Sequence, residues 1–396
     1  MFHASAFSDP ALWYTFILLF TTGAMSISIF SIWWVTSEKR RLPIPVGKHA
    51  PISVLKPLCG VDEDLEANLE TFFHLTYPDF ELIFGVAGDT DPAIEVVKRL
   101  KTRYPTVKAR LIVHDGQRGL NPKVANLRAM LEKGAHDVVV ISDSNIRVDP
   151  DYLDEMYGQL LDEGVEMVTS LISGQGEESL GAALENLHLT GYVSPIKAGA
   201  KVLGIPFVIG KSVMFRRSVF DALGGFEALS NVLGEDYVMG QMVQLAGYEV
   251  RVASKPVRNV SVNIPLSRFV MRHLRWGLIR TRCKPFLYAV EPLGSPAVVA
   301  FLAPFFDVDL TWPLLWAVAL TGVRDVSGWV CLRGAAGLQY ALALGFFKEL
   351  FTLAIWLVAP FTNHVTWRGK RYRVDMGTHL YAESPMMAPG EVREYV

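Results

Sequence analysis

Val138-Val139-Val140-Ile141 runs straight into Ser142-Asp143-Ser144-Asn145. Four branched aliphatic residues in succession predict a strand buried on both faces, and such strands belong to parallel sheets. The chain before this run agrees. Pro51 to Lys56 reads as a short strand ended by Pro57, Phe80 to Ala87 as a second and Ala109 to Val113 as a third. Leu65 to His74 has helical spacing, with Leu65, Leu69, Phe72 and Phe73 on one face. Asp91 to Tyr104, with Ile94, Val97 and Leu100 apolar, and Lys123 to Leu131 are helical too. Strands alternating with helices predict an α/β domain on a mostly parallel sheet, over about residues 45 to 285. Ligands of such sheets bind outside the carboxyl ends of the strands. Asp143 falls there, and Asp89 and Asp91 follow the second strand in the same way.

The rest of the chain is unusually apolar. Of 396 residues, 51% are hydrophobic and 20% charged, which excludes a disordered or collagen-like chain. With 38 basic and 40 acidic residues the chain lacks the basic field that nucleic acid requires. Ala11 to Val35 carries no charge, with Trp13 and Tyr14 near one end and Trp33 and Trp34 near the other. Residues 1–36 are therefore read as a transmembrane helix with interfacial aromatic belts. The segment has neither the charged start nor the cleavage site of a signal peptide. Lys39, Arg40 and Arg41 follow it and predict a cytoplasmic catalytic domain, on the inner membrane if the cell is bacterial.

A second apolar block, residues 286–367, is interrupted by Asp307 and Asp309, Arg324 and Asp325, Arg333, and Lys348 and Glu349. Three segments result, near 287–306, 310–330 and 335–361. The basic stretch from Trp367 to Arg373 opens an expected cytoplasmic tail, 368–396, so the number of C-terminal spans should be even. Two segments are expected to cross, and the first, short and rich in proline, to be re-entrant or interfacial. Lys348 and Glu349 are intramembrane charges and so functional candidates, with contact to headgroups or a partner helix as the alternative. Being adjacent on a helix, they are expected to point in different directions. Cys59, Cys283 and Cys331 form neither a disulfide framework nor a zinc spacing. No signal fixes the oligomeric state.

Five polar motifs carry candidate chemistry, each with a structural alternative. Gly88-Asp89-Thr90-Asp91-Pro92 is either a ligand contact at a strand end or a turn and helix cap. Asp143, with Ser144 and Asn145, could hold Mg2+ or Mn2+ against a diphosphate, or form an Asx-turn. Gly119 to Asn126 is a Gly/Asn/Pro loop with Lys123 at a helix start, suited to phosphate or simply to a surface loop. Glu235 and Asp236, in Gly234-Glu235-Asp236-Tyr237, are a candidate general base with a supporting carboxylate, or an acidic pair answering the helix dipole. Arg272-His273-Leu274-Arg275-Trp276 places two guanidiniums and an indole on one helix face, suited to a leaving diphosphate and a sugar. The alternative is a basic stretch at the membrane surface.

In this order the motifs resemble those of the ceramide glucosyltransferases, membrane-bound inverting glycosyltransferases with a GT-A domain. The resemblance lies in Ser53-Val54-Leu55-Lys56-Pro57-Leu58, Asn68 to Phe73, Asp91-Pro92-Ala93-Ile94, Asn121-Pro122-Lys123, Asp143-Ser144, Glu235-Asp236-Tyr237, Arg272-x-x-Arg275-Trp276 and the tail from Trp367 to Arg373. It implies a GT-A-type sheet domain between one N-terminal membrane helix and a C-terminal membrane-helix block. It also implies UDP-glucose at the strand ends, with Asp89 or Asp91 at the uridine, Asp143 at the metal–diphosphate and Asp236 as base. Arg272, Arg275 and Trp276 would complete the site. The lipid acceptor would be ceramide, its primary hydroxyl attacked onto glucose with inversion. Val193, in Tyr192-Val193-Ser194-Pro195, stands where animal members carry histidine, which leaves the acceptor open. A hopanoid sugar transferase, a processive polysaccharide synthase and a non-catalytic nucleotide-sugar or lipid-binding membrane protein remain as alternatives.

Overall fold

The computed structural model describes residues 9–37, 49–61, 63–116, 118–134, 136–205, 207–367 and 370–383. The Lys39–Arg41 cluster lies outside them. Helix α1 (Pro10–Ser37) leads into four strands, β1 (Ile52–Pro57), β2 (Phe80–Ala87), β3 (Ala109–His114) and β4 (Val138–Ser142). These pair in parallel in the order β3-β2-β1-β4. The crossovers are α2 (Leu65–Phe73), α3 (Ala93–Arg103) and α4 (Pro122–Leu131). The two-residue strand period divides β4 between two cores. Val138 and Val140 join Phe72, Phe84 and Val97 on one face. Val139 and Ile141 join Val124, Leu127 and Phe215 on the other.

Past β4 the sheet becomes mixed, where a mostly parallel one is expected. The elements are β5 (Ile146–Arg147), α5 (Tyr152–Leu160), β6 (Val165–Gln175), α6 (Leu180–Leu187), a π-helical turn (His188–Val193), α7 (Ser194–Val202), β7 (Ser212–Arg216), α8 (Arg217–Ala222), α9 (Glu235–Leu245) and β8 (Glu249–Val260). The sheet continues β4-β7-β6-β8-β5, with β7 antiparallel to both neighbours. The cause is the path after β6. Helix α6, the π turn and α7 stay at the carboxyl end of β6, so the chain re-enters from that end. Ser142 consequently pairs with Ser212, and the start of β7 lies beside the end of β4.

The chain then enters α10 (Leu266–Cys283), α11 (Pro285–Val290), α12 (Pro296–Leu302), α13 (Thr311–Arg333) and α14 (Leu338–Val358). Among the described residues, α1, α13 and Leu338–Phe361 are helices long and apolar enough to cross a membrane. The stretches Pro285–Gly294 and Pro296–Phe306 bend by 78° at the break between them, a broken span or a re-entrant loop. Lys348 and Glu349, expected to diverge, meet instead in one buried cluster with Arg324 and Asp325. Their long side chains reach back to a common centre that the Cβ directions alone do not indicate.

Both ends of the described chain dock on the sheet domain. Ile32 and Val35 of α1 pack with Leu171, Leu189, Ala198, Ile209 and Val252. Strands β9 (His364–Trp367), β10 (Lys370–Val374) and β11 (Leu380–Ala382) form an antiparallel sheet crossing position 367. Val365, Tyr372, Val374 and Leu380 pack with Leu233 and Leu278, beside the Gly234-Glu235-Asp236 segment.

Candidate active site

The centre of the site is Asp143, just past β4. Lys123 Nζ lies 3.1 Å from its Oδ1 and Lys211 Nζ 3.0 Å from its Oδ2. Lys211 arrives through the reversed β7, whose preceding carbonyl accepts from Asp143 N at 3.2 Å. Lys56, fully buried under the Phe72 ring, donates to the Asp143 carbonyl at 2.6 Å and to Ser142 Oγ at 3.2 Å. Burial alone would raise the Asp143 carboxyl, but Lys123 and Lys211 outweigh it and hold it well below the usual carboxylate range. Burial pushes the Lys56 ammonium well below its ordinary value.

Lys123 also reaches Glu235 Oε1 at 3.1 Å and bridges the two carboxylates. Asn121 fixes its place. The Asn121 side chain caps α4, accepting from Lys123 N at 2.9 Å and Val124 N at 3.1 Å. Its Nδ2 donates to the Val232 carbonyl at 2.6 Å and to Glu235 Oε2 at 3.4 Å. Burial and the adjacent Asp236 raise the Glu235 carboxyl, against the pull of Lys123. Burial opposes the Lys123 charge too, but Asp143, Glu235 and Asp236 together hold its ammonium above the normal range. Asp236 Oδ2 accepts from Gly210 N at 3.1 Å. A Cβ on Gly210 would lie 2.7 Å from that oxygen, so only glycine permits the approach.

The remaining candidates are dispersed. Asp89 is exposed past β2. Asp91 accepts from Ala93 N at 2.9 Å and from Gly60 N at 3.0 Å, joining the loops after β1 and β2. It stands two strands from Asp143, about 10 Å at the usual strand spacing. Ser144 lies in the turn after β4. Asn145 accepts from Lys211 Nζ at 3.2 Å and donates to Asn259 Oδ1 at 3.1 Å, bracing β8.

The expected pair of guanidiniums beside an indole is not what the side chains of α10 form. Arg272 donates to the buried Glu185 at 2.6 Å. Arg275 lies over the Trp367 ring at 5.6 Å. Trp276 meets the rings of His273 at 4.8 Å and His188 at 6.4 Å. Arg275 is within electrostatic reach of Glu235, Asp143 and Asp236, although burial and Arg272 lower its pKa. A shared helical face does not show which partner each side chain meets, and Glu185 lies on another helix.

Sequence reasoning did not assign Lys211, Lys56 or Asn121 to the site. Asn121 had a local signal, since an Asn before Pro and Lys is a strong helix cap. Lys56 lies in the stretch 53–58 that carries the resemblance, although the resemblance gives it no role, and Lys211 had no signal. A hard divalent cation takes oxygen ligands, and Asp143 with Glu235 supplies an oxygen-only donor pair. Among the described residues no group of three or more His, Cys, Asp or Glu side chains converges as a metal site.

The fold aligns with that of a mannosyltransferase from Pyrobaculum calidifontis determined with GDP-Man and Mn2+, over 88% of this chain and 98% of that one, at 16% identity and a TM-score of 0.50. The sheet domain thus has the GT-A architecture. In sequence the chain is 26% identical to Ceramide glucosyltransferase 1 of Caenorhabditis elegans, over 83% of this chain and 72% of the relative. It is 30% identical to Ceramide glucosyltransferase 3 of the same organism, over 68% of this chain but only 58% of the relative's length. The description "Glycosyl transferase family 21" matches residues 16–380, sheet domain and membrane helices together, and the chain belongs to that family.

Proposed function

We propose that this protein is an inverting glycosyltransferase that moves glucose from UDP-glucose to the primary hydroxyl of ceramide, giving a β-glucoside. One observation carries the reading. The Lys123-bridged carboxylates Asp143 and Glu235 stand beside Asp236 at the strand ends, and the helix facing them, α10, leads straight into the membrane segments. Such a centre can meet a water-soluble donor and a lipid at one place. The names of the two Caenorhabditis elegans relatives support the sugar and the acceptor.

In this mechanism Asp236 takes the proton of the lipid hydroxyl as its oxygen attacks the anomeric carbon. The bond from that carbon to the UDP oxygen breaks in the same step. Asp89 or Asp91 contacts the uridine end. Lys123, Lys211 and Arg275 are the cationic groups that answer the charge growing on the departing diphosphate. Glu235 keeps Lys123 in place and supports Asp236. Asp143, with Glu235 beside it, would hold Mg2+ or Mn2+, which when bound neutralises diphosphate charge. Arg272 and Trp276 shape the wall of the site through Glu185 and the two histidines. The basic residues Lys39, Arg40 and Arg41 favour a cytoplasmic position for the domain.

UDP release from UDP-glucose, with and without ceramide, tests the reading. Ceramide should accelerate release and a ceramide glucoside should appear on thin-layer plates. Asp236→Asn should abolish transfer and leave UDP affinity by calorimetry nearly unchanged. Release that ignores ceramide, or wild-type turnover in the variant, would refute it.

A further inference from the structure

Arg324 and Asp325 on α13 and Lys348 and Glu349 on α14 are all buried, inside two helices read as spans. Arg324 Nη2 donates to Asp325 Oδ1 and to Glu349 Oε1, both at 2.7 Å, and Lys348 Nζ donates to Asp325 Oδ2 at 2.7 Å. Two cations cancel two anions. Desolvating four charges is costly, and buried ion pairs seldom stabilise more than apolar residues of equal volume. Charges at this depth mark function by default.

The cluster also faces the catalytic domain, through the π turn. Tyr192 presents its ring to Arg324 at 4.9 Å and to Lys348 at 5.6 Å. A Cβ on Gly191 would come within 3.0 Å of Asp325 Oδ1, and one on Gly328 within 2.5 Å of the Thr190 carbonyl. Glycine at both places lets the turn sit directly on α13. Ser295, at the break of the bent helix pair, donates to Glu349 Oε2 at 2.9 Å. The cluster therefore joins two spans, the bent pair and the π turn, a helix form that recurs at functional sites.

From Tyr192 one line of ring contacts and one of neighbouring charges lead toward the site. His188 stacks on Tyr192 at 4.9 Å and lies 6.4 Å from Trp276. Arg280 and Glu291, paired at 3.1 Å, are within electrostatic reach of Tyr192. Lys197 is within reach of Asp236, Arg280 and Glu291. Tyr192, Lys197, Trp276, Arg280 and Glu291 are each half-buried. They link Tyr192, the ring partner of the charge cluster, to the surroundings of Asp236.

We propose that the Arg324–Asp325–Lys348–Glu349 cluster positions Tyr192 in the wall that holds the acceptor's headgroup, so that the lipid hydroxyl is presented to Asp236. The proposal rests on the lipid glycosyltransferase reading above. It also names the headgroup class. Arg280 is matched by Glu291, Lys197 has Asp236 within electrostatic reach and the cluster is neutral, so the wall suits an uncharged headgroup with hydroxyl and amide groups rather than a phosphate.

The test uses the full chain in phosphatidylcholine nanodiscs, with UDP-glucose and a panel of short-chain ceramide, diacylglycerol and a hopanoid alcohol. Asp325→Asn with Lys348→Met removes one cation and one anion and leaves the Arg324–Glu349 pair. This double variant should keep the wild-type melting temperature and UDP affinity while its KM for the lipid rises roughly tenfold. Tyr192→Leu should show the same rise, and Lys348→Arg, which keeps the cation, should retain the wild-type value. A wild-type lipid KM in a folded double variant would overturn the proposal. If that variant does not fold, Tyr192→Leu decides, and an unchanged lipid KM overturns it. Should the wild type glycosylate a panel lipid other than ceramide, the ceramide reading fails while the KM ratios, taken with that lipid, still judge the cluster.

Discussion

Asp143 is held from three directions by lysine, with Lys123 and Lys211 on its carboxylate and Lys56 on its carbonyl. The consequence is a pH dependence with a definite sign. A carboxyl depressed in the folded state adds stability that is fully present above the unfolded value, about 3.9 for Asp. That stability is lost as pH falls through the lower folded value. Lys211→Met should move the acid limb of a melting-temperature profile, recorded from pH 2 to 7, upward toward the ordinary carboxylate range. An unmoved limb would mean that Lys211 contributes nothing to the Asp143 charge. None of this was legible in Ser142-Asp143-Ser144, because the partner ammonium arrives on a strand that begins at Ser212. Arg272 shows the reverse error. Its spacing from Arg275 and Trp276 is sound, but the buried Glu185 draws it elsewhere.

At the scale of elements, the terminal sheet is more than an end to the chain. The Thr378 carbonyl accepts from Leu233 N at 2.9 Å and its Oγ1 accepts from Gly234 N at 3.2 Å, at the threshold of Glu235 and Asp236. Thr378 does this at φ +61, a conformation that a β-branched residue rarely adopts. Backbone strain of this kind costs about 1–3 kcal/mol. One hydrogen bond contributes about 0.5–1.5 kcal/mol. Thr378→Gly should therefore leave the melting temperature equal or higher while turnover falls, because the start of α9 loses the Oγ1 bond to Gly234 N and keeps the carbonyl bond to Leu233 N. Full turnover in this variant would show that the Thr378 side chain does not hold the loop. The first four strands and their crossovers were readable, since each carries its own period and its own connecting helix. The strands from β5 onward were not. The two residues of β5 hold no period, and the reversal of β7 follows from a path through three helical pieces.

For the molecule as a whole, the first span is part of the catalytic fold. Ile32 and Val35 are buried among residues of β6, α7 and β8, and Ile209 of the same cluster precedes the Gly210 that binds Asp236. A chain lacking residues 1–37 should aggregate or elute as a large assembly on size exclusion, since Leu171, Leu189 and Ile209 lose their cover. A monodisperse, UDP-binding product would show that α1 is only an anchor. The apolar ends were visible from composition alone, but their docking was not, because hydropathy records how greasy a segment is and not what it touches.

The tail sheet carries a consequence for biosynthesis. Translation delivers the helix that covers Ile209 well before the tail-sheet turn whose Thr378 braces Gly234. A nascent chain still missing the stretch from His364 to Ala382 lacks the two Thr378 hydrogen bonds to Leu233 and Gly234, and its carboxylate loop is held from the Asn121, Lys123 and Gly210 side. Under the proposed function, such an unfinished chain is expected to turn over more slowly than the finished one, so dependence on the tail sheet would restrain activity at the membrane until its strands are made.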